Sequence, residues 1–174
     1  MKRLNLLSLY FLILIMQPEV EAQLPQVSAV GHITAEVITV FSASETSQMN
    51  FGRFSPGPQG GEILLSPEST ISTIGSVFSG TGTQNAASFY VSGATDASFT
   101  ITLPTNPVVL RHVTTSKTMI IEDWMSNPGL GISAGILQDG FQVVKIGATL
   151  RVGTLNDNPP GIYAGTYTIV FDFN

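Results

Sequence analysis

Tyr163-Ala164-Gly165-Thr166-Tyr167-Thr168-Ile169-Val170-Phe171-Asp172-Phe173-Asn174 is the stretch on which the fold turns. Tyr163, Gly165, Tyr167, Ile169, Phe171 and Phe173 share one parity. Ala164, Thr166, Thr168, Val170, Asp172 and Asn174 share the other. Successive side chains of an extended chain point to opposite faces, so this alternation describes a strand with one face on a core and one in water.

The same period recurs upstream. Ala97, Phe99, Ile101 and Leu103 alternate with Ser98, Thr100 and Thr102, and Ala87, Phe89 and Val91 repeat the pattern with Gly93 as the break. Near Val143 the phase slips. Phe141 and Val143 lie on one parity, while Val144, Ile146, Ala148, Leu150 and Val152 lie on the other, which predicts a β-bulge or a break between two strands. Ile63 to Leu65, Ile71 to Ile74, Val108 to Val113 and Met119 to Met125 read as further strands. Ile33, Ala35, Val37 and Phe41 suggest an opening strand, although that stretch also admits a helical reading. β-Branched residues dominate the apolar positions, and no other segment reads as a helix.

The connections carry turn chemistry. Ser55-Pro56-Gly57-Pro58-Gln59-Gly60-Gly61 reads as an exposed loop, Asp139-Gly140 as a tight hairpin, and Asn156 to Gly161 as a longer turn before the last strand. Many short strands without helices between them predict an all-β antiparallel sandwich or barrel. No internal repeat or linker divides it.

Residues 1–22 are read separately. Lys2 and Arg3 precede an apolar run from Leu4 to Met16, and Val20-Glu21-Ala22 ends in small residues at cleavage-site positions. This order predicts a secretory signal peptide cleaved after Ala22, leaving residues 23–174 as a single domain in the periplasm, on the outer cell surface or outside the cell. About 150 residues suffice to bury a core of their own. No later segment has transmembrane length.

The chain carries seven Lys or Arg against twelve Asp or Glu, a formal net charge of -5. Lys2, Arg3, Glu19 and Glu21 lie in the leader, so cleavage leaves that balance unchanged. The remaining bases, Arg53, Arg111, Lys117, Lys145 and Arg151, are scattered, which argues against nucleic acid and anionic lipid as partners. With no cysteine, there is no thiol nucleophile, thiolate metal site, disulfide or acylated lipoprotein anchor.

Candidate chemistry is sparse. Gly131-Ile132-Ser133-Ala134-Gly135 matches a nucleophile elbow, but no helical pattern follows and His32 and His112 both precede the serine, so no hydrolase site is expected. Neither histidine has a partner at ligand spacing. Glu122 and Asp123, adjacent on a strand, should face opposite sides and mark a solvated strand end beside Trp124. Asn156-Asp157-Asn158 lacks the spaced carboxylates of a calcium loop. Gly75 to Gly82 lacks the Gly-Lys-Ser/Thr of a phosphate loop. No catalytic residue, metal or cofactor is expected. Trp124, Tyr90, Tyr163 and Tyr167 could form a sugar-stacking platform if exposed, although Tyr167 shares the apolar face of its strand.

The ordered set of short motifs is more specific. It runs Ile33-Thr34-Ala35-Glu36, Met49-Asn50-Phe51-Gly52-Arg53-Phe54, Gly60-Gly61-Glu62-Ile63 and Ala87-Ser88-Phe89-Tyr90-Val91-Ser92-Gly93. It continues through Phe99 to Pro104 and Ile146 to Leu150, and closes on Pro160 to Tyr167 and Phe173-Asn174. This set resembles a family of exported bacterial domains of unknown function, frequent in Bacteroidetes and Proteobacteria and similar in general appearance to pilus subunits. The resemblance implies an immunoglobulin-like, pilin-like antiparallel β-sandwich with a structural or adhesive role and no catalysis. Chaperone–usher pilins complete an open fold with a strand from a chaperone or the next subunit. Their last strand has an aromatic next to last and a glycine near its start, as Phe173 and Gly161 stand here. Tyr163, Gly165, Tyr167, Ile169, Phe171 and Phe173 are therefore the candidate assembly strand, with another copy or other surface proteins as partners. Two features depart from the pilin pattern. No disulfide can form, and only Gln23 to Val30 precedes the expected opening strand, too short a donor unless Ile33 to Phe41 itself donates. A secreted domain that binds carbohydrate or another surface ligand is the competing expectation.

Overall fold

The computed structural model describes residues 25–130 and 135–173. The expected signal peptide at residues 1–22 and Ser133 lie outside them. A compact unit spans Ile38–Asn174, with Met1–Val37 as a separate unit. Residues 25–40, all exposed, form no strand or helix. The expected opening strand at Ile33 to Phe41 is therefore not a strand in the structure: the first begins one residue after Phe41.

The fold is all-β and antiparallel. Its strands are β1 (Ser42–Ser47), β2 (Phe54–Leu65), β3 (Ile71–Ser79), β4 (Ala87–Ser92), β5 (Ser98–Thr102), β6 (Val108–His112), β7 (Thr118–Asn127), β8 (Gly135–Ile136), β9 (Phe141–Val152), β10 (Tyr163–Ala164) and β11 (Val170–Phe173). The large sheet runs β1-β4-β9-β7-β6-β10, with β2 also on β9 and β3 on β2; the small sheet runs β11-β5-β8. Strand β9 organises the large sheet. Its first half pairs with β4, Ala87 opposite Ile146, and its second half pairs with β2, Leu65 opposite Ala148. Along its other edge runs β7.

Two apolar clusters follow from this arrangement. In one, the large sheet curls so that Ile63, Leu65, Val77, Met119, Ile121, Leu150 and Val152 meet, with Phe51 packed among them. In the other, Ala87, Val91, Val144 and Ile146 of the large sheet face Phe99 and Ile101 of the small one, with Leu137 alongside. Trp124 and Met49 pack against both. The fully buried Phe99 fills the space above Gly135, where a Cβ would stand 2.1 Å from its ring.

Three local expectations change. Ser55 to Gly61 is not a free loop but part of β2. Between Pro56 and Gly61 the register with β3 shifts, and Gly57, where a Cβ would clash with Ser76, is buried in this wide bulge. Proline is tolerated there because the bulge interrupts the ladder. Strand β9 runs without a bulge or break through the phase slip at Val143: Phe141 and Val143 face outward, and Val144 opens the buried series. The bulge lies across from β9, in β7 between Glu122 and Met125. Finally, Asp139 and Gly140, both at positive φ, form a turn from β8 to β9, which lie in different sheets.

Candidate functional site: the seam at β11

The closing stretch alternates as expected, yet it is not one strand. Tyr163 and Ala164 pair with His112 and Arg111 in the large sheet, whereas Val170 to Phe173 pair with Thr102 to Phe99 in the small sheet. The crossing, Gly165 to Ile169, is where the chain changes sheets. A Cβ on Gly165 would come within 2.8 Å of the Val109 carbonyl, so the residue lets the chain lie flat on β6 as it leaves.

The crossing's first end is held by His112. Its Nδ1 accepts from the Thr114 N–H at 3.1 Å, and its Nε2 lies 3.2 Å from the Pro160 carbonyl. Both bonds are satisfied by the neutral ring protonated on Nε2. Tyr163 meets the ring edge-on at 4.9 Å and donates its hydroxyl to the Pro159 carbonyl at 3.0 Å. Gly161 has no room for a side chain, because a Cβ would stand 2.0 Å from His112 Nε2. His112 is thus a structural residue, and His32 stands exposed in the arm before β1.

At the other end, Tyr167, Ile169, Phe171 and Phe173 form a half-buried stripe over the second core. Phe171 packs on Phe89 and Phe99, and Phe173 on Phe99. Phe41 stacks on Phe173 with centroids 4.1 Å apart. Phe89 lies opposite Glu45 of β1, so these rings line a seam between the β1 edge of the large sheet and the β11 edge of the small one. Strand β11 has β5 on one side; its other side has no partner strand among the described residues. Burial pushes the Tyr167 phenol up to about 12, with the Glu45 carboxylate adding to the shift. Its hydroxyl, Trp124 Nε1 and Ser126 Oγ are buried without hydrogen-bond partners among the described residues, and the Trp124 and Tyr167 rings lie 4.9 Å apart.

The remaining candidates are dispersed or occupied. Glu122 and Asp123 do not face opposite sides, because the bulge at Asp123 (φ 51) brings both toward Arg151, whose guanidinium also pairs with Glu62. Asp157 Oδ2 accepts from the Thr154 hydroxyl at 2.7 Å, which holds its carboxyl below the usual value. Asn158 is buried, accepting from the Gly153 N–H and donating to the Thr118 carbonyl. Both residues serve the turn. Gly75 lies in β3 facing the β2 bulge, and Gly80 and Gly82 pack against Arg53. Among the described residues, no group of three or more His, Cys, Asp or Glu is placed to hold a metal, and no helix is long and apolar enough to cross a membrane.

Of the four rings considered for sugar stacking, Trp124 and Tyr167 pack together, but they form no exposed platform with Tyr163 and Tyr90. Trp124, Tyr163 and Tyr167 are half-buried, while Tyr90 lies on the outer face. Sequence reasoning missed Tyr90's actual neighbour, Phe141. The two rings stack 5.5 Å apart at 18°, and Tyr90 and Phe141 are 39% and 45% exposed. The slip in phase that turns Phe141 outward was its signal.

No curated protein and no solved structure matches the chain. A family model, described as Domain of unknown function (DUF4402), matches residues 41–173, from the ring that closes the seam to the last described residue of β11. The chain belongs to that family.

Proposed function

We propose that this domain is an exported, non-catalytic structural or adhesive module, pilin-like in character, that works through protein contacts at the cell surface. The observation that carries the reading is the seam. Strand β11 offers an open edge, and the aromatic stripe behind it is only half covered. An open edge beside uncovered apolar surface is a template for another chain's backbone and side chains. The signal-peptide pattern at residues 1–22 supports export. The polar groups that might have suggested chemistry are engaged structurally: Arg151 takes up the acidic pair, and the Asn156 to Asn158 loop is tied to its own turn.

The test combines export and contact. The full chain is produced in a bacterial host, the N-terminus of the product is sequenced, and its sedimentation is compared with that of Val170→Lys. The expected product starts at Gln23 outside the cytoplasm and associates, while Val170→Lys stays folded and loses the association. A product retained in the cytoplasm, or association indifferent to Val170→Lys, contradicts the reading.

A second reading, a secreted domain binding carbohydrate or another surface ligand, has the exposed Tyr90–Phe141 pair in its favour, since sugars stack on flat exposed rings. It expects retardation in polysaccharide-containing gels that Tyr90→Ala abolishes. Migration unaffected by any polysaccharide removes it.

A further inference from the structure

Strand pairing decides which side chains share the outer face of β1, β4 and β9, because residues opposite one another in a ladder point the same way. Ser42 lies opposite Ser92, Ser44 opposite Tyr90 and Ser47 opposite Ser88. On the other side of β4, Phe141, Val143 and Lys145 lie opposite Ser92, Tyr90 and Ser88 in turn. The alternate residues Val91, Val144 and Ile146 are buried in the second core, so this set faces outward. It consists of five serines, two stacked rings, one valine and one lysine.

Resting on the sugar-binding reading, we propose that this face takes a neutral polysaccharide, with a pyranose ring on Tyr90 and Phe141 and the sugar hydroxyls on the serines of β1 and β4. The rings are 39% and 45% exposed and Val143 beside them is 46% exposed, an apolar floor for the C–H side of a sugar. A serine hydroxyl both donates and accepts, as a sugar hydroxyl does. Ser42 and Ser92 already share a hydrogen bond at 2.9 Å, and the pair still has one O–H and free lone pairs to offer. From Ser88 to Ser92 the face runs about 13 Å at the usual strand rise, which gives room for consecutive sugars.

Charge selects the class of polysaccharide. Lys145 is the one charged side chain of the set, and it stands at the end away from Phe141. Across from it on β7 is Asn127, whose amide donates to Glu68 at 3.0 Å. That bond, with a smaller contribution from the Lys145 charge, holds the Glu68 carboxyl below its usual value, so the lysine has an acidic neighbour. Glu45 lies opposite Phe89 and belongs to the other face. The rings and serines are left without charge, which gives an acidic polymer no hold. A protein partner fits less well, since serine and lysine are depleted at the cores of protein interfaces. Because Phe89 looks into the seam, a partner at β11 leaves the serine face open. Copies joined there present several sugar faces together, with an avidity above that of one domain.

The test runs the exported, processed chain in native gels containing mannan, xylan or hydroxyethyl cellulose, and in gels containing anionic alginate, at low and high salt. The inference expects retardation by a neutral polysaccharide that persists at high salt. Tyr90→Ala and Phe141→Ala should each weaken it about tenfold, and Ser44→Ala/Ser92→Ala about threefold to tenfold. Val170→Lys, at the seam, should keep it. Circular dichroism of each variant separates misfolding from lost contact. Retardation by alginate alone that salt relieves, retardation indifferent to Phe141→Ala and to the serine pair, or its loss in Val170→Lys overturns this assignment and leaves sugar binding standing. No retardation by any of the four polymers removes both.

Discussion

Gly147 sits mid-way along β9, where a Cβ would lie 2.2 Å from the Leu65 carbonyl oxygen and 2.7 Å from the Ser66 carbonyl carbon. Both are backbone atoms and cannot swing aside. Gly147→Ala should therefore cost about 1–3 kcal/mol, the usual range for forced overpacking, read as a lower urea midpoint at unchanged slope. Tyr167 poses the opposite case, a polar atom the fold covers without pairing. Its phenol is raised from 10.0 to about 12, so the fold favours the neutral form. That contribution is fully present below pH 10 and is lost as pH rises toward 12. Tyr167→Phe should stay within about 1 kcal/mol of the parent at neutral pH, because it removes an unpaired hydroxyl. The stability gap between the two proteins should then shift in the variant's favour from pH 10 to 12, measured by urea unfolding at each pH. A constant gap contradicts this account of the ring's surroundings.

At the scale of elements, alternation in the sequence tells which face a side chain takes but not which strand lies beside it. That is why Phe99, Ile101, Phe171 and Phe173 could be assigned to a core while the sheet change at Gly165 to Ile169 could not. The two halves of that run carry one pattern and acquire different neighbours through tertiary contacts alone. The β2 bulge was illegible for a related reason: Pro56, Gly57, Pro58 and Gly60 carry the same chemistry whether the chain turns or bulges within a pair. The β7 bulge did leave a trace. Met119 and Ile121 are inward at odd positions and Trp124 and Ser126 at even ones, so one residue between them must be extra. Asp123 takes that place at φ 51, a conformation that costs most side chains about 1–2 kcal/mol and glycine none. Asp123→Val should destabilise by about that amount, while Asp123→Gly should stay close to the parent. Equal melting temperatures for the valine variant and the parent would deny the bulge its left-handed residue.

For the whole molecule, the all-β architecture was legible and the candidate site only half so. The last strand was singled out for assembly on the strength of Phe173 and Gly161. The structure gives those residues local roles: Phe173 receives Phe41, and Gly161 makes room for His112. What makes the strand a candidate is its free edge, which depends on where β1 and β5 end up and is written in no local pattern. The arm before β1 was misread as a strand because its composition is that of one. Removing Phe99, the fully buried ring beneath Phe171 and Phe173, should cost about 3–5 kcal/mol as Phe99→Ala and loosen the seam along with the core, seen as a lower melting temperature and weaker self-association together.

Hydrogen exchange at the amides of Val170 to Phe173, followed as the exported protein is concentrated from dilute monomer, bears most directly on the claim that this edge is where the molecule meets others. The account predicts that protection there rises with concentration while the amides of Thr149 to Arg151 in β9, already paired on both sides, stay constant. Exchange at β11 that is the same at every concentration, in a sample that sedimentation shows to be associated, contradicts it.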